Sequence, residues 1–272
     1  MQIKNSSYFK SRRIFLLTLF LLAFLPLFPA RTVLAECIGE HYTQDVNGVT
    51  IYYEETEGNG FPVILLHGNG GSHKDLYMET KQLSEAGYKV YAVDSRGQGQ
   101  SSIPEEYHYA DMADDVYELI KVWGLDKPAL YGWSDGGIIG LLLEIRHPGT
   151  LSALAVSGAN TDPDGLDGLF RFSAGLFGGS GSLTAMIANE PHITEEELAS
   201  IDIPVLVTAG ENDMIKEEHT RMIAESIPGS ELVILEGEDH GSYILGNTKM
   251  GDLLLEFLEK TCGKEEGTSS AG

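Results

Sequence analysis

The 272-residue sequence predicts an α/β fold: a mostly parallel, eight-stranded sheet with helices on both faces and a small lid insertion. Three observations carry this expectation. Short apolar runs alternate with helix-patterned segments through most of the chain, the order that builds a parallel sheet covered on both sides. One pair of runs at the start is joined by Asn47-Gly48, a two-residue hairpin turn. Gly132-Trp133-Ser134-Asp135-Gly136 lies between a strand-like and a helix-like run, where a G-x-S-x-G sequence forms a sharp turn with its serine exposed at the apex.

The elements follow in order. Residues 42–46 and 49–54 flank the Asn47-Gly48 turn. Residues 61–66 form a buried-strand run ending at His67-Gly68, and residues 76–86 read as a helix stopped by Gly87. Strand 90–93 ends at Asp94. Residues 109–123 carry apolar positions Met112, Val116, Leu119, Ile120 and Trp123 at helical spacing and close at Gly124. The strand at 128–131, the turn at Ser134 and a helix at 138–145 come next. Strands at 151–156, 204–208 and 231–235 alternate with a helix at 214–227, stopped by Pro228-Gly229, and a last helix at 251–260. The interval 159–200 is long for a loop. It contains helix-like stretches at 183–188 and 195–200 and is placed to cover the serine; a disordered surface insertion is the alternative.

The first 35 residues are set apart from the fold. Lys4, Lys10, Arg12 and Arg13 precede an apolar run at 14–25, and Val33-Leu34-Ala35 resembles a cleavage site, the order of a secretory signal peptide. The run falls short of the roughly 18 residues of a spanning helix, and Glu36 before Cys37 does not suit a lipoprotein signal. The expected organisation is a signal peptide at 1–35, one domain at 36–262 with the lid at 159–200, and a disordered tail at 263–272. The chain carries 18 basic and 41 acidic residues; cleavage after Ala35 removes five basic residues and leaves a net charge of −28. That charge argues against nucleic-acid or anionic-membrane partners and favours a solvated surface in an extracytoplasmic setting. In such a setting Cys37 and Cys262 can pair, closing a loop worth about 5 kcal/mol in the chain-entropy picture; two free thiols are the alternative.

Five motifs stand in order: His67-Gly68-Asn69-Gly70-Gly71, Asp94-Ser95-Arg96-Gly97-Gln98-Gly99-Gln100-Ser101, the Ser134 turn, Gly210-Glu211-Asn212-Asp213, and Gly237-Glu238-Asp239-His240-Gly241. Together they resemble the α/β-hydrolases over roughly residues 42–260. The resemblance implies a nucleophile, acid and base in that chain order: Ser134, Asp213 and His240. A serine hydroxyl needs a base within reach, and the base needs an acid to hold its tautomer. Asp162 is the rival acid, because some family members draw theirs from the preceding strand. The same resemblance implies an oxyanion site at the backbone N–H groups of Asn69 and Asp135 and a structural role for His67. Histidines 41, 73, 108, 147, 192 and 219 read as surface or lid residues. The Asp135 carboxylate either edges the pocket, where it would select a cationic substrate group, or serves the N-terminus of the following helix.

Nucleotide binding is poorly supported, since Gly97-x-Gly99 lacks a third glycine and no G-K-[ST] follows a glycine run. Asp162-Pro163-Asp164-Gly165 resembles the start of a calcium loop, but Leu166 and Ser173 fall where ligands are needed. No metal and no cofactor are expected. The resemblance points to a secreted serine hydrolase acting on small esters or amides, with no stable membrane association after signal cleavage. Aminopeptidase-like amide hydrolysis, lactone opening, perhydrolysis and a non-turnover ligand-binding protein on the same fold are the alternatives.

Overall fold

The computed structural model describes residues 38–168, 171–172 and 181–262. The signal peptide at 1–35, Cys37 and the tail at 263–272 lie outside the described residues, as does part of the 159–200 insertion.

Eight strands form one sheet: β1 (Glu40–Val46), β2 (Val49–Glu55), β3 (Pro62–Leu66), β4 (Lys89–Val93), β5 (Ala129–Trp133), β6 (Ala153–Ser157), β7 (Val205–Gly210) and β8 (Glu231–Leu235). Their spatial order is β1-β2-β4-β3-β5-β6-β7-β8. β1 pairs antiparallel with β2, and β2 with β4; every other pairing is parallel. Asn47 (φ 45°) and Gly48 (φ 79°) are both left-handed, as the tight β1–β2 turn requires. The chain passes from β3 to β4 on one side and returns to lay β5 on the other. The loops that follow β3 and β5 therefore diverge and leave a crevice beyond the strand ends, where open α/β sheets place their ligands.

Alternation along the strands divides the core in two. Val63 and Leu65 face a layer that holds helix α1 (Tyr77–Glu85) and the C-terminal helix (Lys249–Cys262), where Leu83, Leu254 and Phe257 close the core. Ile64 and Leu66 face the opposite layer with helix α2 (Tyr109–Trp123) and helix α3 (Asp135–Arg146), and Met112, Leu119 and Ile139 are fully buried there. Both faces are covered, so the central strands read as unbroken apolar runs rather than alternating ones.

Two elements differ from expectation. The helix expected at 214–227 begins at Glu217 and ends at Ser226. Residues 214–216 are non-helical instead: Leu166 and Ile215 bridge antiparallel, the Asp167 N–H donates to the Met214 carbonyl at 2.8 Å, and the Lys216 N–H donates to the Gly165 carbonyl at 2.9 Å. The insertion is also well anchored where it is described. Its helices Leu183–Asn189 and Glu195–Leu198 contribute Met186 and Leu198 to the main core. Glu190 accepts from the His108 ring at 2.6 Å and from the Tyr109 N–H at 3.1 Å, tying the segment to the start of α2.

A buried ion pair secures the loop after β4. Arg96 donates from Nε and Nη2 to the two oxygens of Asp115 on α2, each at 2.6 Å, and Asn47 of the hairpin turn donates to the same carboxylate at 3.1 Å. Both partners are almost wholly enclosed. Replacing Arg96 by Leu leaves Asp115 buried without its cation, and stability measured by urea unfolding is expected to fall by about 3–5 kcal/mol.

Candidate active site

The crevice is built from the ends of β3, β5, β7 and β8. At the end of β5 the chain turns directly into α3 with Ser134 between them, at φ 54° and ψ −116°. A non-glycine residue held at positive φ is strained. Gly132 and Gly136 make the turn possible: a Cβ on Gly132 would overlap the Gly136 carbonyl, and one on Gly136 would overlap the Leu66 carbonyl of β3. Helix α3 therefore starts at Asp135, three residues before the expected position. The Ser134 N–H donates to the Ser157 carbonyl of β6 at 2.7 Å, which fixes the turn to the neighbouring strand.

His240 and Asp213 reach each other from separate loops. His240 Nδ1 lies 2.7 Å from Asp213 Oδ1, and the same oxygen accepts the Ile215 N–H at 2.9 Å. The Asp213 side chain is about 1% exposed and that of His240 about 15%, so the imidazole meets solvent while the carboxylate does not. Asp162 is occupied elsewhere: its oxygens accept from the Asp164 N–H at 2.8 Å and from the His192 ring at 2.7 Å. Gly158, at φ 57°, leaves the space that His240 fills; a Cβ there would stand 2.8 Å from two ring atoms. The Trp133 indole N–H donates to the His240 carbonyl at 2.9 Å, holding the His240 loop against the end of β5.

The loop after β3 is held by an internal scaffold. Ser95 donates its N–H to His67 Nε2 at 3.1 Å, so the proton sits on Nδ1, which donates to the Gly68 carbonyl at 2.7 Å. Burial favours this neutral ring and lowers the His67 pKa. Gly70, at φ 71°, donates its N–H to Gln98 Oε1 at 2.6 Å. Among the described residues, the N–H groups of Asn69 and Asp135 have no protein acceptor. Asn69 Nδ2 donates to Asp135 Oδ2 at 2.7 Å, and the Tyr109 hydroxyl donates to Asp135 Oδ1 at 2.8 Å.

These contacts correct one expectation about Asp135. Its carboxylate does not edge the site; the residue is 3% exposed and both oxygens accept from internal donors. The side chain links the β3 loop, α3 and α2. Burial pushes its pKa up to about 6, with hydrogen bonds from Asn69 and Tyr109 acting in the opposite direction. Two histidines also depart from the surface reading. His73 is 4% exposed and bonded to Asp94, and half-buried His219 accepts the Thr161 N–H at 3.0 Å beneath the insertion. Asp94 is held below the ordinary carboxylate range: burial opposes ionisation, but hydrogen bonds from His73 and Gln100 outweigh it.

Gln98, Tyr109 and Trp133 were not singled out by sequence. Gln98 lies inside the 94–101 motif, and Trp133 is a variable position of the serine turn. Tyr109 carries no signal beyond its place at the start of an amphipathic helix. Cys262 is half-buried and unpaired among the described residues, while its expected partner Cys37 lies outside them. Among the described residues, no helix is long and apolar enough to cross a membrane.

Comparison with known proteins agrees with this architecture. The alpha/beta hydrolase fold family matches residues 62–185. The AB hydrolase superfamily protein YisY of Bacillus subtilis (strain 168) is 28% identical over 264 residues, covering 80% of this chain and 98% of YisY. The serine hydrolase BPHL of Homo sapiens is 27% identical over 246 residues, covering 79% of this chain and 84% of BPHL. The crystal structure of the esterase RhEst1 from Rhodococcus sp. ECU1013 superposes with a TM-score of 0.65 at 25% identity, covering 80% of this chain and 98% of that one. The chain has the alpha/beta hydrolase fold, an eight-stranded, mostly parallel sheet with helices on both faces.

Two outcomes are expected from this geometry. Gly158→Ala should displace the His240 ring, read as loss or shift of the low-field Nδ1 proton resonance in a protein that keeps its fold. For Asp135, the folded pKa of about 6 exceeds the ordinary value of 3.8, so the folded protein binds the proton more tightly. The stability of the wild type relative to Asp135→Asn should therefore fall as pH rises from about 4 to about 6, by roughly 3 kcal/mol, and level off above that. Urea unfolding of both proteins across the interval checks the sign.

Proposed function

We propose that this chain is a serine hydrolase that cleaves carboxylic esters of small substrates through an acyl-enzyme. The observation that carries the reading is the 2.7 Å hydrogen bond between His240 Nδ1 and Asp213, on a loop tied to the indole of Trp133, the residue preceding a serine held at φ 54°. Ser134 Oγ attacks the ester carbonyl while His240 Nε2 takes its proton. Asp213 keeps the Nδ1 tautomer and stabilises the imidazolium without accepting the proton. The N–H groups of Asn69 and Asp135 receive the oxyanion, each contributing about 3–4 kcal/mol to the transition state. His240 then protonates the leaving alcohol. The same histidine activates the water that releases the acid.

The inward-facing Asp135 carboxylate bears on substrate class. Both oxygens are engaged inside the protein, which removes the cation-selecting role that would have favoured an amine-bearing amide substrate. Esters of neutral or anionic acids are thus the preferred reading over aminopeptidase-like cleavage. The order of basic, apolar and small residues at 1–35 supports export, with the mature enzyme acting outside the cytoplasm.

Purified protein treated with a fluorophosphonate probe is expected to label on Ser134 and to turn over short-chain aryl esters. Ser134→Ala should abolish labelling and lower ester turnover by about 10⁴-fold or more. A folded wild type that neither labels nor turns over esters, yet retains a small ester unchanged, would instead identify a ligand-binding protein on this fold.

A further inference from the structure

Three potential metal ligands meet at the foot of the β3 loop, in side chains the proposed hydrolysis does not use. No motif spacing in the sequence marks them, because they come from three separate segments. His41 of β1 stands directly opposite Glu54 of β2 in the antiparallel register, so the two side chains share a face. His41 Nδ1 lies 3.8 Å from Glu54 Oε2. His73 opens the short 3-10 turn His73–Leu76 just after the loop. One ligand atom from each of His41, Glu54 and His73 lies within 4.8 Å of the other two.

The state of His73 is the informative part. Its backbone N–H donates to Asp94 Oδ1 at 2.7 Å, and its ring Nδ1 meets the same oxygen at 2.8 Å. A carboxylate oxygen accepts, so Nδ1 carries a proton, and in the neutral ring Nε2 holds the lone pair. Nε2 is buried and, among the described residues, has no hydrogen-bond partner. Buried polar atoms normally find one, and an exception calls for an explanation. A histidine whose Nδ1–H is held by a carboxylate while its Nε2 lone pair is left available is the arrangement that orients imidazoles on zinc.

We propose that His41, Glu54 and His73 bind one divalent zinc-type cation, with Asp94 fixing His73 from behind and water completing the coordination. Two imidazoles and one carboxylate are a recognised donor set for four-coordinate zinc with an open position. Zinc–ligand bonds of about 2.0–2.2 Å place donors roughly 3.4 Å apart around a tetrahedron. The donor atoms lie within 4.8 Å of one another, so each pair needs to close by no more than about 1.4 Å, and His41, the exposed member, has room to turn its ring inward. Exposure at His41 also supplies the entry path a metal site needs. The charges balance: the carboxylates of Glu54 and Asp94 together match a dication, with both imidazoles neutral. The Tyr52 ring lies 5.5 Å from that of His41 and 5.4 Å from that of His73, walling one side. Occupancy would clamp the β1–β2 hairpin to the segment that follows the β3 loop.

The test uses the mature full-length protein without a polyhistidine tag, stripped with a chelator and desalted. Zinc chloride titrated by calorimetry is expected to bind with a stoichiometry of one and to raise the thermal midpoint by about 5 °C at saturating metal. Cobalt(II) in its place should give the intense visible absorption of a four- or five-coordinate site. His41→Ala and Glu54→Gln should match the wild-type midpoint in chelator, which shows that they fold. Each should weaken zinc binding by roughly 10-fold or more and lose the cobalt spectrum. Substoichiometric binding by the wild type, or zinc held equally well by both variants, would overturn the proposal.

Discussion

Leu66, Gly132 and Gly136 bring the backbones of β3, β5 and α3 so close that no Cβ fits between them. Everything else about the site depends on that approach. It lets the chain leave β5 and enter a helix within one residue, which places Ser134 in the left-handed region rather than in an ordinary turn. Strain of this kind persists only where the surroundings over-determine it. Here they do: β5 is paired on both sides, the Ser134 N–H is bonded to β6, and α3 is buried along most of its length. The core therefore holds the serine upright, and the loops around it have only to present their side chains.

Those loops are positioned by polar contacts rather than by apolar packing. The β3 loop rests on His67 and Gln98, the latter carried by a segment that Arg96 ties to α2. The His240 loop is held at two points, by Asp213 from one side and by the Trp133 indole from the other. Gly158 contributes by having no side chain. The described part of the insertion is fastened through Glu190 and through Leu166–Ile215, so it is continuous with the core on one side and with the Asp213 segment on the other.

Much of the fold was legible because its boundaries have local causes. Gly124, at φ 66°, ends α2 where its left-handed conformation dictates, and every strand lies within two residues of its apolar run. The start of the helix at Glu217 was not legible, because residues 214–216 take their conformation from Gly165 and Leu166, about fifty positions away. The same holds within the site. Ser134, Asp213 and His240 stand in motifs with a fixed chain order. The choice between Asp213 and Asp162 as partner to His240 needed coordinates. Nothing local marks Tyr109 as a donor to Asp135 or His73 as a buried ring, since both contacts join residues brought together by the crossing of β3 and β4 with the helices beside them.

Asn69 and Asp135, the two positions proposed to hold the oxyanion, are joined by their own side chains as well as by their shared task. Their amides belong to one rigid unit, and the 2.7 Å contact between Nδ2 and Oδ2 helps set the width of the gap between them. Residues sharing a buried polar contact do not contribute independently. Sequence change in this chain is thus constrained pairwise: a new side chain at 69 alters the protein's tolerance at 135. Under the proposed ester hydrolysis, a variant that accepts a bulkier acyl group through this loop is expected to change both positions together, with Tyr109 as the third member of the set.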